Sequence, residues 1–204
     1  MSRGRAIYLV RHGQAQSQDD PRRYIGQTDL PLSEEGRRQA RELRVRFERA
    51  DIGAVISSDL VRSRETAESI AAGVGVPVVA RRDLREIDLG QWEGCTFQDI
   101  AARFPEAFVA RGKDIGGYRV PGGESFSDCG NRVVPALQSI LHGSSGNVVI
   151  VAHAGVNRLL LCHVLGMPVA NLFRIGQDCG CVNLIRQDGD ALEVTLVNGR
   201  GAVG

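Results

Sequence analysis

Short apolar runs and longer amphipathic stretches follow one another along this chain. Five apolar residues in succession, Ala6 to Val10, predict a strand that is buried on both faces. A second run of the same kind, Val148 to Ala152, predicts another buried strand. Further short runs predict strands at 54–56, 77–79, 181–185 and 192–197, with a hairpin turn between the last two at 187–190.

The amphipathic stretches between these runs predict helices. Ser33, followed by Glu34 and Glu35, predicts a helix start, because serine caps helices and acids favour their positive end. Apolar residues then recur at helical spacing up to Ala50. Further helices are predicted at 60–72 and 156–165. Another is predicted to begin at a Thr96 cap and end at Pro105, with Phe97 facing inward. The last is predicted at 126–141, with a kink or break at Gly130 and Pro135.

This alternation predicts an α/β fold, a three-layer α/β/α sandwich with a mostly parallel central sheet. The chain has 204 residues, enough for one α/β domain with a full core. No internal repeat or linker interrupts it, so we expect residues 1–204 to form a single domain.

The two buried strands end in the same way. The first delivers Arg11-His12-Gly13 and the second delivers His153-Ala154-Gly155. In an open parallel sheet, ligands bind just beyond the carboxyl ends of the strands. The sequence therefore predicts that both imidazoles lie at one edge of one sheet, as chemical rather than packing residues.

Composition and charge limit the kinds of partner and the cellular compartment that we expect for this protein. The net charge of +1 does not indicate a nucleic-acid surface, and no apolar run approaches the length of a membrane span. The N-terminus leads straight into a core strand without a visible signal peptide, so we expect a cytoplasmic protein. The five cysteines lack C-x-x-C spacing, which favours reduced thiols over a metal or redox site, even at Cys179 and Cys181.

The motifs of several enzyme classes are missing from the sequence. There is no Walker loop, no G-x-G-x-x-G after a strand, no H-E-x-x-H and no G-x-S-x-G. The remaining cluster is His12, His153, Arg11 and Arg62, an electropositive set that suits a phosphate dianion. A neutral histidine can act as a nucleophile toward phosphorus.

A proton source for the leaving oxygen is also needed. Glu86 is the best-placed carboxylate, and Glu93 and Glu124 are alternatives. From the residues alone, a phosphoryl-transfer site and a non-catalytic anion-binding site both remain open.

Four motifs, in order, resemble a known family. Leu9-Val10-Arg11-His12-Gly13 resembles the R-H-G signature of the histidine phosphatase superfamily, which includes phosphoglycerate mutases. The helix at 57–67 is similar to that family's S-x-L-x-R-A-x-x-T-A segment, 84–86 to the segment that bears its proton donor, and His153-Ala154-Gly155 to its second histidine.

The resemblance implies a role for each site residue. It implies His12 as the phosphorylated nucleophile, Arg11, Arg62 and His153 as the phosphate pocket, and Glu86 as proton donor and then base. No metal or organic cofactor is implied. Substrate contacts are expected from Gln18, Gly26, Gln27, Thr28 and Ala154. The family usually has Glu and Asn where this sequence has Gln14 and Gln18.

The resemblance also bears on the reaction. Leu84 to Gly94 and Pro121-Gly122-Gly123-Glu124-Ser125 are similar to the small phosphatase branch that includes alpha-ribazole phosphatase. We therefore expect a monomeric or homodimeric hydrolase of a small phosphomonoester, alpha-ribazole phosphate-like or a phosphosugar. Alternatives are a phosphoglycerate mutase, a protein-phosphohistidine phosphatase and a non-catalytic phosphate-ligand binding module. The Gly-rich stretch 112–125 could form a lid, and Trp92 could form part of a leaving-group pocket.

Overall fold

A six-stranded sheet forms the centre of the protein. The computed structural model describes residues 4–16 and 23–200. Within them the strands are β1 (Arg5–Arg11), β2 (Ile52–Ser58), β3 (Val78–Arg81), β4 (Asn147–Ala152), β5 (Val182–Asp188) and β6 (Ala191–Gly199). They are ordered β3-β2-β4-β1-β5-β6. The neighbours from β3 to β1 pair in parallel, whereas β5 is antiparallel to both β1 and β6. The mostly parallel sheet and the closing hairpin are thus confirmed.

Helices cover both faces of the sheet. They are α1 (Glu34–Phe47), α2 (Val61–Val74), α3 (Phe97–Arg103), α4 (Pro105–Lys113), α5 (Phe126–Gly143) and α6 (Ala154–Leu165). α1 and α2 bury Phe47 and Ile70 against one face, and α5 and α6 bury Leu137 and Leu159 against the other. Both faces are therefore covered, as in an α/β/α sandwich. No helix in these ranges is long and apolar enough to cross a bilayer.

Side-chain caps fix three helix starts. Ser33 accepts a hydrogen bond from the Gly36 amide at 3.1 Å, as predicted. Thr96 and Ser125 each form a reciprocal capping box with the residue three positions later. The cap at Ser125 ends the Gly-rich stretch, which is tied to the body where the Glu124 amide donates to the Asp88 carbonyl.

Two details of the helix prediction differ from the structure. α5 continues without a break through Gly130 and Pro135, because its buried face, including Val133 and Leu137, offsets the roughly 3 kcal/mol that an interior proline costs. The alternative of a kink at these positions stays a prediction. The predicted helix end at Pro105 is confirmed, since α3 ends at Arg103, but a further helix that was not predicted begins there. Pro105 is the first residue of α4, where its missing N–H is not needed.

The orientation of Phe97 is the third difference. Its side chain is 44% exposed, although the neighbouring helical position Ile100 is fully buried. The Phe97 ring packs against that of Tyr24 in a tilted arrangement with the ring centres 4.3 Å apart, and it borders a cavity described below. The helical period correctly identified the buried face but did not reveal that its first residue lies at a cavity.

Gly13 allows the strand end to approach α1 closely. A Cβ at Gly13 would lie 2.5 Å from the Gly36 carbonyl oxygen, and a Cβ at Gly36 would clash with the Gln14 carbonyl. Gly13 has no positive φ. A glycine is therefore needed here for close backbone packing beside the site rather than for an unusual backbone conformation.

Candidate active site

The register of β1 and β4 brings the two histidines together. Arg11 pairs with Ala152 across the parallel strands, and the His12 amide donates to the Ala152 carbonyl at 3.1 Å. His12 and His153 therefore leave the same edge of the sheet. Their rings lie 5.0 Å apart at 64°, and both side chains are buried. The predicted juxtaposition is confirmed.

Hydrogen bonds orient the His12 ring. Its Nδ1 lies 2.6 Å from the Gly13 carbonyl oxygen, a group that can only accept, so Nδ1 carries the proton. Its Nε2 accepts from Nε of Arg62 at 3.3 Å. In this tautomer the lone pair of Nε2 faces the guanidinium, and a neutral imidazole is required for that arrangement.

The surroundings of His12 favour the neutral ring. Burial lowers the pKa of His12 well below its usual value of 6.5, and the Arg62 and Arg11 guanidiniums lower the pKa further. Burial also lowers the pKa of His153, with further contributions from Arg62 and His12. Both imidazoles are consequently neutral at pH 7.

Arg62 is held by the backbone of the loop at 26–28. Its Nη1 donates to the Thr28 carbonyl at 2.7 Å and its Nη2 to the Gly26 carbonyl at 2.6 Å. The guanidinium is buried, which lowers its pKa from an ordinary value that is far above neutrality. Its third nitrogen, Nε, donates to Nε2 of His12, which leaves one further N–H on each of Nη1 and Nη2.

Glu93 holds the same loop from the other side. Its Oε1 accepts from the amides of Gly26 and Thr28 at 2.8 and 2.9 Å, the two residues whose carbonyls accept from Arg62. Its Oε2 is buried without a hydrogen-bond partner among the described residues. The Glu93 carboxylate therefore orders the loop that orders Arg62.

Arg11 is anchored at one end of its guanidinium. Its Nη1 donates to the Gln177 carbonyl at 2.6 Å. The Gln177 side chain is fixed in turn by buried amide hydrogen bonds with Asn157 and Asn183. Within residues 4–16 and 23–200, the buried Nε of Arg11 has no hydrogen-bond partner, so this donor is available to an anion.

His153 has one engaged and one unengaged ring nitrogen. Its Nε2 lies 3.3 Å from the Ser63 hydroxyl. Its Nδ1 is buried, with no partner in the part of the chain that the structure describes. A buried polar atom of this kind requires an explanation, and ligand binding is one.

Glu86 lies beside these groups and at the wall of a cavity. Its Oε2 accepts from the Gly155 amide at 3.0 Å and its Oε1 from the Ile87 amide at 3.0 Å. The side chain is only 9% exposed. A Cβ at Gly155 would clash with Oε1, so glycine at this position lets the carboxylate approach the start of α6.

Two ion pairs fix the segment that carries Glu86. Arg85 forms a bidentate pair with Asp59 at 2.7 Å for both bonds, and this pairing lowers the pKa of Asp59. Arg132 donates to the carbonyls of Asp83 and Arg85 and pairs with Glu124 at 2.8 Å. The sequence did not single out Arg132, because its function depends on folding α5 against this distant segment.

The other carboxylates considered as proton donors have different partners. Glu93 binds loop amides and Glu124 binds Arg132 and the Asp88 amide at 3.0 Å. Neither borders the cavity that Glu86 lines. The geometry thus favours Glu86 among the three carboxylates.

A cavity of about 820 Å³ opens beside the histidine pair. Arg11, Glu86 and Ala154 lie in its wall, whereas His12, His153 and Arg62 are buried behind it. Aromatic and aliphatic side chains form much of the remaining wall, including Tyr24, Ile87, Phe97, Phe108, Phe126 and Phe173. Such a cavity is large enough for a substrate far bigger than phosphate.

Several predicted residues lie near this cavity but not in its wall. Trp92 is almost fully buried behind Tyr24 and is not a lining residue. Gly26, Gln27 and Thr28 bind protein groups, with Gln27 donating to the Glu86 carbonyl at 3.1 Å. Their function as substrate ligands remains a prediction. Gln18 lies outside the described residues.

No metal site accompanies these groups in the described ranges. Nowhere in 4–16 and 23–200 do three or more His, Cys, Asp or Glu side chains lie in positions suited to a metal ion. All five cysteines are free, and burial raises the pKa of Cys181 to about 11.

Family comparison identifies the class of protein. Residues 7–200 match the model of the histidine phosphatase superfamily (branch 1), so the chain belongs to that superfamily. A bifunctional protein of Mycobacterium tuberculosis is 35% identical over 198 residues, which are 96% of this chain and 54% of that protein. The chain thus spans about half the length of this relative.

Other relatives and solved structures are similar over more of their length. A Serratia proteamaculans protein named "Probable phosphoglycerate mutase GpmB" is 37% identical over 166 residues, 79% of this chain and 75% of its own. The alpha-ribazole phosphatase from Shigella flexneri has a TM-score of 0.88 at 28% identity, covering 98% of both chains. A mycobacterial glucosyl-3-phosphoglycerate phosphatase has a TM-score of 0.87 at 29% identity, covering 97% of this chain and all of that one.

Proposed function

We propose that this protein is a phosphomonoester hydrolase that acts through a phosphohistidine at His12. The observation that carries the proposal is the orientation of His12, whose Nδ1 is engaged by the Gly13 carbonyl while Nε2 presents its lone pair beside Arg62. A neutral, oriented nitrogen next to a fixed cation is what attack on a phosphate dianion requires.

The first step transfers the phosphoryl group to the enzyme. Nε2 of His12 forms a bond to phosphorus as the bond from phosphorus to the ester oxygen breaks. Arg11, Arg62 and His153 neutralise or donate to the non-bridging oxygens, using donors that include the buried Arg11 Nε. Glu86, protonated at this stage, gives its proton to the leaving oxygen, so that an alcohol rather than an alkoxide departs.

The second step releases phosphate. Glu86 is now a carboxylate and removes a proton from water as the water oxygen attacks phosphorus. The bond between Nε2 and phosphorus breaks, its electrons return to the imidazole, and inorganic phosphate leaves. This restores a protonated Glu86 and a neutral His12, so the chain's own residues balance every proton.

Hydrolysis rather than phosphoryl isomerisation is favoured by two observations. Both solved structures reported above are named phosphatases, and the 84–94 segment is similar to the phosphatase branch. A mutase must return the phosphoryl group to an acceptor and exclude water from it, and one relative bears a mutase name.

We also infer a cytoplasmic location, which fits five free cysteines.

Release of inorganic phosphate from a panel of phosphomonoesters tests this proposal. We expect turnover in the presence of a metal chelator by the wild type and a loss of at least about a thousandfold in His12→Ala. His142→Ala, a change at an exposed histidine on α5, is the matched control and should retain activity. Phosphate migration between glycerate positions without net release would instead support the mutase, and ligand binding without either reaction would support a binding module.

A further inference from the structure

The cavity beside the histidine pair contains a cation that the proposed chemistry does not use. Arg111, near the end of α4, lies in the cavity wall and is partly buried. Its guanidinium carbon lies 5.5 Å from the ring centre of Tyr24, 5.7 Å from that of Trp92 and 5.4 Å from that of Phe126. Three aromatic faces thus surround one positive charge.

No carboxylate of the described residues forms an ion pair with Arg111. Its polar contact within the protein is with the Tyr24 hydroxyl. Ring faces attract a cation but satisfy none of the five N–H donors of a guanidinium. An arginine in an apolar wall therefore favours an anion that the protein itself does not supply.

Arg111 is connected to the proposed reaction centre by a short series of contacts. Phe126, one of its ring partners, lies so near the start of α6 that a Cβ on Gly155 would be 3.3 Å from its ring. The Gly155 amide in turn holds the Glu86 carboxylate at 3.0 Å. Arg111 and the proton donor therefore both lie near Phe126, within a single cavity.

The charges of the cavity wall also favour a second anion. Among the described residues, five arginines line it against two carboxylates, Glu86 and Asp178, and Asp178 pairs with Arg200 at 3.1 Å. A phosphate dianion at Arg11 leaves further positive charge in the wall. A substrate with a second anion would complement this excess.

We infer that Arg111 is a specificity-determining residue that binds a second anionic group, a carboxylate or a phosphate, on the leaving group of the substrate. This inference rests on the proposed phosphatase function. The aromatic and aliphatic wall holds the body that joins the two anions. The favoured substrates are monoesters of anionic alcohols rather than of neutral ones.

Matched benzyl phosphates test the inference. Benzyl phosphate, its 4-carboxylate and the neutral 4-carboxamide have similar leaving groups and differ in charge. We expect kcat/KM of the wild type to be about tenfold or more higher for the carboxylate than for the carboxamide, the size of one charge-assisted hydrogen bond. A 4-phosphomethyl derivative shows whether a second phosphate is preferred to a carboxylate, and preference for either supports the inference.

Variants assign the preference to Arg111. Arg111→Gln should reduce the carboxylate-to-carboxamide ratio of kcat/KM to about one, and a circular dichroism spectrum that matches the wild type reports correct folding. Arg111→Lys should retain part of the ratio because it keeps the charge but loses the fork of donors. Arg103→Gln, a charge loss at an exposed arginine outside the cavity wall, should leave the ratio unchanged.

Two results would overturn the inference: a wild-type enzyme that does not discriminate, or a ratio that Arg111→Gln leaves intact. Calorimetry with benzylphosphonate and its 4-carboxylate separates this failure from failure of the proposed function. One outcome is that no ester is hydrolysed, but the 4-carboxylate of benzylphosphonate binds more tightly than benzylphosphonate itself and loses this advantage in Arg111→Gln. The second-anion site is then supported and the phosphatase proposal is contradicted. Equal binding of both phosphonates in wild type and Arg111→Gln would remove the site as well.

Discussion

His12 owes its proposed reactivity to the groups on either side of its ring. The Gly13 carbonyl fixes the proton on Nδ1, and Arg62 faces Nε2 at 3.3 Å. Burial and two guanidiniums together lower the pKa of the ring, so the nitrogen is available without a separate base. The neighbours that we propose to bind the phosphoryl group thus also keep the His12 ring neutral.

Glu86→Gln tests the proton-donor function at this scale. Because a glutamine cannot protonate the leaving oxygen, we expect kcat for alkyl phosphates to fall by about 10² to 10³, and phosphoryl transfer from p-nitrophenyl phosphate to fall by much less. Presteady-state release of each alcohol measures this step. Glu106→Gln, on α4, is the control. Equal losses for good and poor leaving groups would argue that Glu86 is not the acid.

The two buried histidines predict a dependence of stability on pH. Both have pKa values well below 6.5 in the folded state, whereas in the unfolded state they take up protons below about pH 6.5. The unfolded state therefore binds more protons as the pH falls, and the free energy of unfolding decreases. Between pH 6.5 and 5.5 each histidine accounts for a decrease of about 1 kcal/mol, and the slope approaches about 1.4 kcal/mol per pH unit at lower pH.

Urea unfolding across that range provides the measurement. His153→Asn should lose about half of the slope, whereas His142→Asn, at an exposed position, should keep it. A wild-type slope near zero would mean that the folded protein takes up these protons, contrary to the burial of both rings.

Among the elements, the loop at 26–28 illustrates what the sequence could and could not predict. The family resemblance implies that Gly26, Gln27 and Thr28 contact the substrate, so the loop was expected at the site. Its contacts with the protein could not be predicted, because they depend on Arg62 from α2 and on Glu93, which follows a short helix at Gly90–Trp92, meeting in three dimensions. Likewise, two histidines at strand ends could be predicted from apolar runs, whereas the Arg132 clamp on the 83–85 carbonyls could not.

Glu93→Ala tests whether this loop positions Arg62. Loss of the carboxylate leaves the Gly26 and Thr28 amides unpaired, so we expect the protein to lose about 1–3 kcal/mol of stability. Because Arg62 then loses its fixed carbonyls, kcat/KM should also fall by about tenfold or more. Glu93→Gln, whose amide oxygen can still accept a hydrogen bond, should have a stability and a kcat/KM between those of the wild type and Glu93→Ala. Reduced stability with unchanged kcat/KM would show that the loop does not position Arg62.

Across the whole molecule, the sheet edge and the helices around it contribute different parts of the candidate site. β1 and β4 bring the histidines together, while α3, α4 and the Gly-rich stretch contribute to the walls of the large cavity. The alternation of strands and helices predicted that both histidines lie at one edge of the sheet, because the strands can be identified from local periodicity. The cavity could not be predicted, because Phe97 and Arg111 have the spacing of ordinary helix residues and acquire their surroundings only on folding.

Trapping the phosphoenzyme is the most direct measurement of the central claim. Glu86→Gln, mixed with p-nitrophenyl phosphate and quenched in alkali, should accumulate one phosphoryl group because its second step lacks a base. Mass spectrometry of the peptides should place that group on His12, and phosphorus NMR should assign it to Nε2, since Nδ1 is engaged by Gly13. Turnover without a phosphorylated His12, or a phosphoryl group on another residue or on Nδ1, would contradict the account.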